Sequence, residues 1–233
     1  MESTYPCQGM RLLLGCADAM DIVYLGHSSF KLTGRTLSVV MDPFGPDKVG
    51  LKFNKVTADV VTVSHDHFDH NRSDLVDDVR KVINGPGEYE LNGVSFIGLS
   101  TYHDDKKGEL RGKNTVYVVE MDGIRVLHLG DLGHKLEDKT LAAIGEIDVL
   151  MVPVGGVYTI DSATAAEVVR SIEPKYIIPM HYQVPGLALS NELSGVEPFL
   201  SALGIKSEEM DELSLKVTDL GGEDQAVVIL KKK

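Results

Sequence analysis

The chain has 233 residues, with 23 Lys and Arg against 35 Asp and Glu, and a formal net charge of −12 at pH 7. Its 43% hydrophobic and 25% charged residues are the composition of a well-buried globular chain, which excludes a disordered protein, a coiled coil and a disulfide-stapled miniprotein. The acidic balance also argues against a dominant nucleic-acid role, because such binding draws most of its affinity from Lys and Arg at phosphates.

Residues 1–20 read as an extension ahead of a single domain over 21–233. Within it, Leu13-Leu14-Gly15-Cys16 resembles a lipoprotein cleavage box, but only Leu12, Leu13 and Leu14 separate Arg11 from the small residues. A working signal needs an apolar core of about 7–15 residues. Cys7 and Cys16 make no disulfide framework, and no stretch approaches the roughly 20 apolar residues that span a bilayer. The expected setting is cytoplasmic, with a small-molecule substrate and neither a membrane nor a nucleic-acid partner; a homo-oligomer is compatible with the sequence.

From Asp21 onward, short β-branched runs alternate with glycine-rich turns. Residues 22–25, 36–41 and 59–63 are predicted strands by their Val, Ile, Tyr and Thr content. The apolar spacing of Leu75, Val76, Val79 and Val82 predicts a helix over 72–82. Strands follow at 93–99, 115–120 and 124–129, the last two joined across Asp122-Gly123, a strong hairpin signal. Residues 148–152 and 176–178 are short apolar runs of the buried-strand type. Between them a helix is predicted over 162–172, with Asp161 as N-cap and Pro174 as stop. A further helix at 197–203 precedes Gly204, strands at 213–217 and 226–230 close the chain, and the final lysines read as a frayed end. No internal repeat interrupts this order. Two packed sheets with helices outside satisfy it in one α/β domain.

The chemistry lies in the histidines. His65-Asp66-His67-Phe68-Asp69-His70 places three His and an Asp in an H-x-H-x-D-H pattern. Such a pattern arises by chance about once in a thousand chains of this composition. A predicted strand runs straight into the cluster, and a tight loop there lets the side chains fan toward one point. Neutral imidazoles with a carboxylate suit Zn²⁺, Mn²⁺ or Fe²⁺. His103, Asp131 and His181 each follow another predicted strand. Five His and two Asp in the same kind of position suggest two adjacent divalent metals.

The run Val63-Ser64-His65-Asp66-His67-Phe68-Asp69-His70, followed by His103, Asp131 and His181, resembles the ordered motifs of the metallo-β-lactamase superfamily. Asp42, in Val40-Met41-Asp42-Pro43, is similar to that family's first motif, and the likeness extends from about residue 22 to 182. The resemblance implies a four-layer αββα sandwich of two mixed sheets with metals at one edge. It also implies that His65, His67 and His103 hold one metal, that Asp69, His70 and His181 hold the other, that Asp131 bridges them, and that Asp42 braces the loop. The diiron branch carries Glu where this chain has His67, so an iron oxidoreductase is the second reading behind a hydrolase. A non-catalytic scaffold is a third, against which the complete ligand set argues. True β-lactamases commonly place Cys in the second site, and neither cysteine here is near the motifs. The run from Tyr24 to Phe30, with Gly130-Asp131-Leu132-Gly133-His134, resembles the subgroup of ascorbate-phosphate lactonases and related hydrolases.

The leading expectation is therefore a dimetal hydrolase of a small ester, lactone or phosphodiester. Two adjacent metals acidify a water and polarise the substrate. Asp69 is suited both to ligate and to accept a proton from that water. His134 is the candidate acid for the leaving group, since imidazole titrates near neutrality. His27 and Asn114 are the candidate substrate contacts, His27 having a loop hydrogen bond as its alternative role. The stretch Arg111-Gly112-Lys113-Asn114 could meet an anionic substrate from a loop.

Overall fold

The computed structural model describes residues 19–189, 191–222 and 224–233, so Cys7, Cys16 and all but the end of the expected extension lie outside the described residues. Along Met20–Gly26 every second side chain is buried, the signature of a strand with one face on a core. That strand sits in a six-stranded sheet whose order is Leu213–Leu215, Met20–Gly26, Ser29–Thr33, Ser38–Met41, Val60–Thr62 and Lys81–Ile83. The first three pairings are antiparallel and the last two parallel.

The second sheet has eight strands, in the order Ser207–Met210, Ala226–Leu230, Tyr176–Met180, Val149–Pro153, Ile124–His128, Lys113–Met121, Val94–Tyr102 and Gly87–Leu91. Four parallel pairings give way to three antiparallel ones along it. The two sheets face each other across one apolar layer, with Ile22, Phe30, Val39 and Val60 meeting Phe96, Val119, Val126 and Ile178. On the outer face of the second sheet, Ala165, Val169 and Phe199 of the helices Ser162–Ile172 and Glu197–Leu203 cover Leu127, Leu150 and Ile177. Val149–Pro153 is consequently buried at every position, as expected of a parallel strand covered on both faces. The carboxylate of Asp161 caps the longer helix by accepting from the Thr164 N–H at 2.8 Å, and the helix ends at Glu173, just before Pro174.

The outer layer of the first sheet is thinner. No helix forms over 72–82. Ser73–Leu75 makes one 3-10 turn, Val76–Asp77 pairs in parallel with Val56–Thr57, and Lys81–Ile83 joins the sheet beside Val60–Thr62. The reason is local. Asp78 takes a left-handed φ of +63°, which interrupts a helix, and the β-branched Val76, Val79, Val82 and Ile83 fit a pleated surface better. The backbone donors of Arg80 and Lys81 go to the carbonyl of Asp59 on the neighbouring chain segment. Val40, Val61, Val63 and Val76 form the small core under this layer. Among the described residues no helix is long and apolar enough to cross a membrane.

Candidate metal centre

One end of the sandwich gathers the polar residues. His27 follows Met20–Gly26, Asp42 follows Ser38–Met41, and the loop 65–70 lies just beyond Val60–Thr62. From the other sheet, His103 follows Val94–Tyr102, Asp131 lies beyond Ile124–His128, and His181 follows Tyr176–Met180. Strands that run in one direction deliver their ends to one rim. Two backbone hydrogen bonds stitch that rim across the sheets: His181 N–H to His27 O at 3.0 Å, and Thr115 N–H to Ser64 O at 2.9 Å. His27, Asp42 and His181 all hold left-handed φ values, between +44° and +55°. Such conformations cost free energy outside glycine and mark positions that the surrounding structure over-determines.

Asp131 is at the centre. Its Oδ2 lies 3.3 Å from His103 Nε2, 3.2 Å from His181 Nε2 and 3.9 Å from His65 Nε2, while Oδ1 lies 3.2 Å from His70 Nε2. Around it the potential ligand atoms fall into three groups, each within 4.8 Å: His65 with His67 and His103; His27 with Asp69, His70 and His181; and His65 with His70 and Asp131. The structure thus brings together all seven residues expected as ligands, and it adds His27 to the second group. His67 is the exposed member, at the mouth.

The loop is braced from below. Asp42, fully buried, accepts from the Ser64 N–H at 2.8 Å and from His70 Nδ1 at 2.7 Å. That leaves His70 Nε2 turned toward Asp131. Ser64 Oγ lies 2.9 Å from His65 Nδ1 and fixes the second imidazole in the same way. Gly130 is required where the Asp131 loop crosses this region. It has φ +54°, and a Cβ there would strike Ser64 and Asn114.

The buried nitrogens His65 Nε2, His70 Nε2 and His181 Nε2, and the oxygen Asp131 Oδ1, make no hydrogen bond. Buried polar atoms are ordinarily paired, so four converging exceptions point to an absent partner. Imidazole nitrogens with carboxylate oxygens are the donor set of Zn²⁺, Mn²⁺ or Fe²⁺, and the site fits such ions. The electrostatics separate the imidazoles. Burial pushes the His65 imidazole down to about 3, and burial with the neighbouring His181 lowers His27 to about 4, so both stay neutral as ligation requires. Burial works against the charged form of His70 as well, but the nearby carboxylates of Asp131 and Asp69 outweigh it and raise its pKa well above the usual range. Burial likewise opposes ionisation of Asp69, yet the charge of His70 and the hydrogen bond from His27 hold its carboxyl well below normal.

The other expected site residues are placed differently. Asn114 is buried, and its amide donates to Thr101 Oγ1 and Leu129 O while its oxygen accepts from the Asp131 N–H at 3.0 Å. It is a strut of the Asp131 loop with its polar atoms engaged, not a wall of the groove. His27 is fully buried, with Nε2 3.3 Å from Asp69 Oδ2, behind the ligands rather than at the surface. His134 borders a neighbouring recess. Its Nε2 accepts from the Tyr102 N–H at 3.1 Å, and its Nδ1 lies 2.7 Å from Lys135 O.

The groove over this cluster has a volume of about 400 Å³ and is lined by Phe68, Tyr158, Leu189 and Arg111 beside His67, Asp69, His103 and Asp131. One organising residue is invisible to motif reading. Asp104 accepts four backbone N–H groups, from Lys106, Gly108, Leu110 and Arg111, and folds the loop 104–112 onto itself. The available signal is an Asp directly after His103 and before a stretch containing Gly108 and Gly112, a composition that favours side-chain-capped turns.

The Beta-lactamase superfamily domain matches residues 21–181 of the chain. A UPF0173 metal-dependent hydrolase from Carboxydothermus hydrogenoformans is 30% identical over 191 residues, covering 70% of this chain and 84% of its own. Another, from Thermococcus onnurineus, is 28% identical over 218 residues, covering 81% of this chain and 94% of its own. A solved structure from Thermotoga maritima, described as a proposed Zn-dependent hydrolase of the metallo-beta-lactamase superfamily, is 39% identical with a TM-score of 0.72. That alignment covers 91% of this chain and 98% of the other.

Proposed function

The chain belongs to the metallo-β-lactamase superfamily, and on that premise we propose that it hydrolyses a small ester, lactone or phosphodiester with the help of two divalent ions held at the sandwich rim. Metal-dependent hydrolysis is the description its relatives carry, and it comes to this chain with the family. The finer reading rests on one observation: the Nε2 atoms of His65, His70 and His181, buried and without a hydrogen bond, converge with Asp131 Oδ1 at the sandwich rim. His65, His67 and His103 would hold one ion, and Asp69, His70 and His181, with His27 alongside, the other. Asp131 stands between the groups. Zinc is the ion the donors suit best, with manganese and iron compatible.

Bound there, the ions would supply Lewis acidity and bring the pKa of a water toward neutrality. The protein's part follows from its own residues. Asp69 lines the groove as an ionised carboxylate and would orient the attacking water and accept its proton. His27, hydrogen-bonded to Asp69 from behind, fixes the orientation of that carboxylate. Phe68, Tyr158 and Leu189 give the groove an apolar wall against which the body of a small substrate would rest. The test is elemental analysis of purified protein together with turnover of chromogenic esters and phosphodiesters. Close to two divalent ions per chain, with activity lost to a chelator and restored by metal, is the expected result. No bound metal after expression in metal-supplemented medium would overturn the reading.

A further inference from the structure

Resting on the hydrolase reading, we propose that Arg111 docks an oxyanion, a carboxylate or phosphate group set apart from the bond that is cleaved, so that the substrate class is an anionic ester or lactone with an apolar body. Among the described residues, Arg111 is the one Lys or Arg lining the groove above the ligands. It also lines the adjoining polar recess of about 390 Å³, beside Thr159 and Thr164. Its guanidinium lies 5.7 Å over the Tyr158 ring, and Nη2 donates to the Val157 carbonyl at 3.1 Å. Among the described residues no carboxylate pairs with it within 4.0 Å. A guanidinium carries five N–H donors in a fixed fork, and the bond to Val157 uses only one nitrogen.

The position is built rather than incidental. Asp104 accepts the N–H of Arg111 itself at 2.8 Å, and His103 N–H donates to Gly112 O at 3.0 Å, so the arginine is tied by its backbone to the residue beside a metal ligand. Val157, whose carbonyl receives Nη2, holds φ +62°, a conformation that β-branched residues rarely adopt. Asp66, Asp69 and Asp131 line the groove and Asp104, Asp105 and Asp161 the recess, so an oxyanion entering there would be held by the guanidinium fork of Arg111. Phe68, which is 45% exposed, and Leu189 supply the apolar wall for the remainder of the molecule.

The probe pair is 4-phenylbutyrate and its uncharged amide, titrated calorimetrically into metal-loaded wild type and Arg111→Gln. Wild type should bind the acid about tenfold more tightly than the amide, the scale of one charge-assisted bond, and Arg111→Gln should bind the two alike. Arg111→Lys keeps the charge without the fork and should keep a preference of about threefold. A preference for the acid that survives in Arg111→Gln would assign anion recognition to the metals and overturn the proposal. So would the absence of any preference in wild type. In parallel, the ratio of kcat/KM for 4-nitrophenyl hydrogen glutarate over 4-nitrophenyl butyrate should fall about tenfold in Arg111→Gln, chiefly through KM. Failure of wild type to turn over either ester would count against the ester reading of the reaction, whereas the binding contrast is read without turnover and judges Arg111 by itself.

Discussion

Two loops wall the same groove and treat their polar atoms in opposite ways. In the loop 65–70, the Nε2 atoms of His65 and His70 are buried with no hydrogen bond, facing an Asp131 oxygen that likewise makes none. In the loop 104–112, Asp104 alone takes four backbone N–H groups, and further bonds join Gly112 to Gly108 and to His103. Burying a polar group without a partner costs about 1–3 kcal/mol, so the first loop is maintained at an expense that the second avoids. Unmet valences mark where something is to be held, and complete satisfaction marks the scaffold that aims it.

Substitutions on the two loops and their supports can break this contrast. The largest effect is expected from Asp131→Ala, which removes the carboxylate facing His65, His70, His103 and His181. Bound metal should be lost by elemental analysis. Breaking a buried ion cluster at about 3–5 kcal/mol should also lower Tm by about 10 °C. Retention of both ions would show that the unpaired atoms around it do not mark the centre.

Next comes His27→Ala. Whether it ligates directly or steadies Asp69, its loss should weaken one ion by about 10–100-fold, measured by chelator competition. Unchanged affinity for both ions would remove it from the second group.

Asp104→Ala strands four N–H donors and should cost about 1–3 kcal/mol, a Tm lower by several degrees, while metal content stays at the wild-type level. Parallel loss of metal would mean that the two loops are one unit and the contrast is false.

The smallest effect is expected for His134→Ala, because both its nitrogens are engaged in the neighbouring recess. Rates should fall by less than about threefold, and equally on good and poor leaving groups. A selective loss of about 10²–10⁴-fold on poor leaving groups would instead make it the general acid.

How far the sequence foretold this molecule depended on the range of the interactions involved. The histidine motif is local, six residues long and chemically distinctive, and its convergence with His103, Asp131 and His181 is legible in the sequence. So is the hairpin at Asp122-Gly123, where both residues hold the positive φ that such a turn requires. The segment 72–82 misled because apolar spacing reports which residues are buried, and two short strands with a turn can bury the same side chains as a helix. Ser207–Met210, of sequence Ser-Glu-Glu-Met, carries no β-branched signal, since it is held by backbone pairing to Ala226–Leu230 at the edge of its sheet. Asp138–Ile144, at seven residues, is too short to establish a period. In the site, residue types were readable but their satisfaction was not. Asn114 and His134 are chemically fit to meet a substrate, and only the tertiary structure shows that their polar atoms are already taken.

The backbone bonds from His181 to His27 and from Thr115 to Ser64 place the rim astride both sheets. An ion held among those side chains therefore has no binding site until the two sheets have docked, and its affinity belongs to the folded state alone. By mass action, free metal at a hundredfold excess over Kd adds about 2.7 kcal/mol to the folding free energy for each such site. The cofactor of the proposed reaction would then also be a ligand of the native state, and the lifetime of this protein would follow the supply of free metal around it.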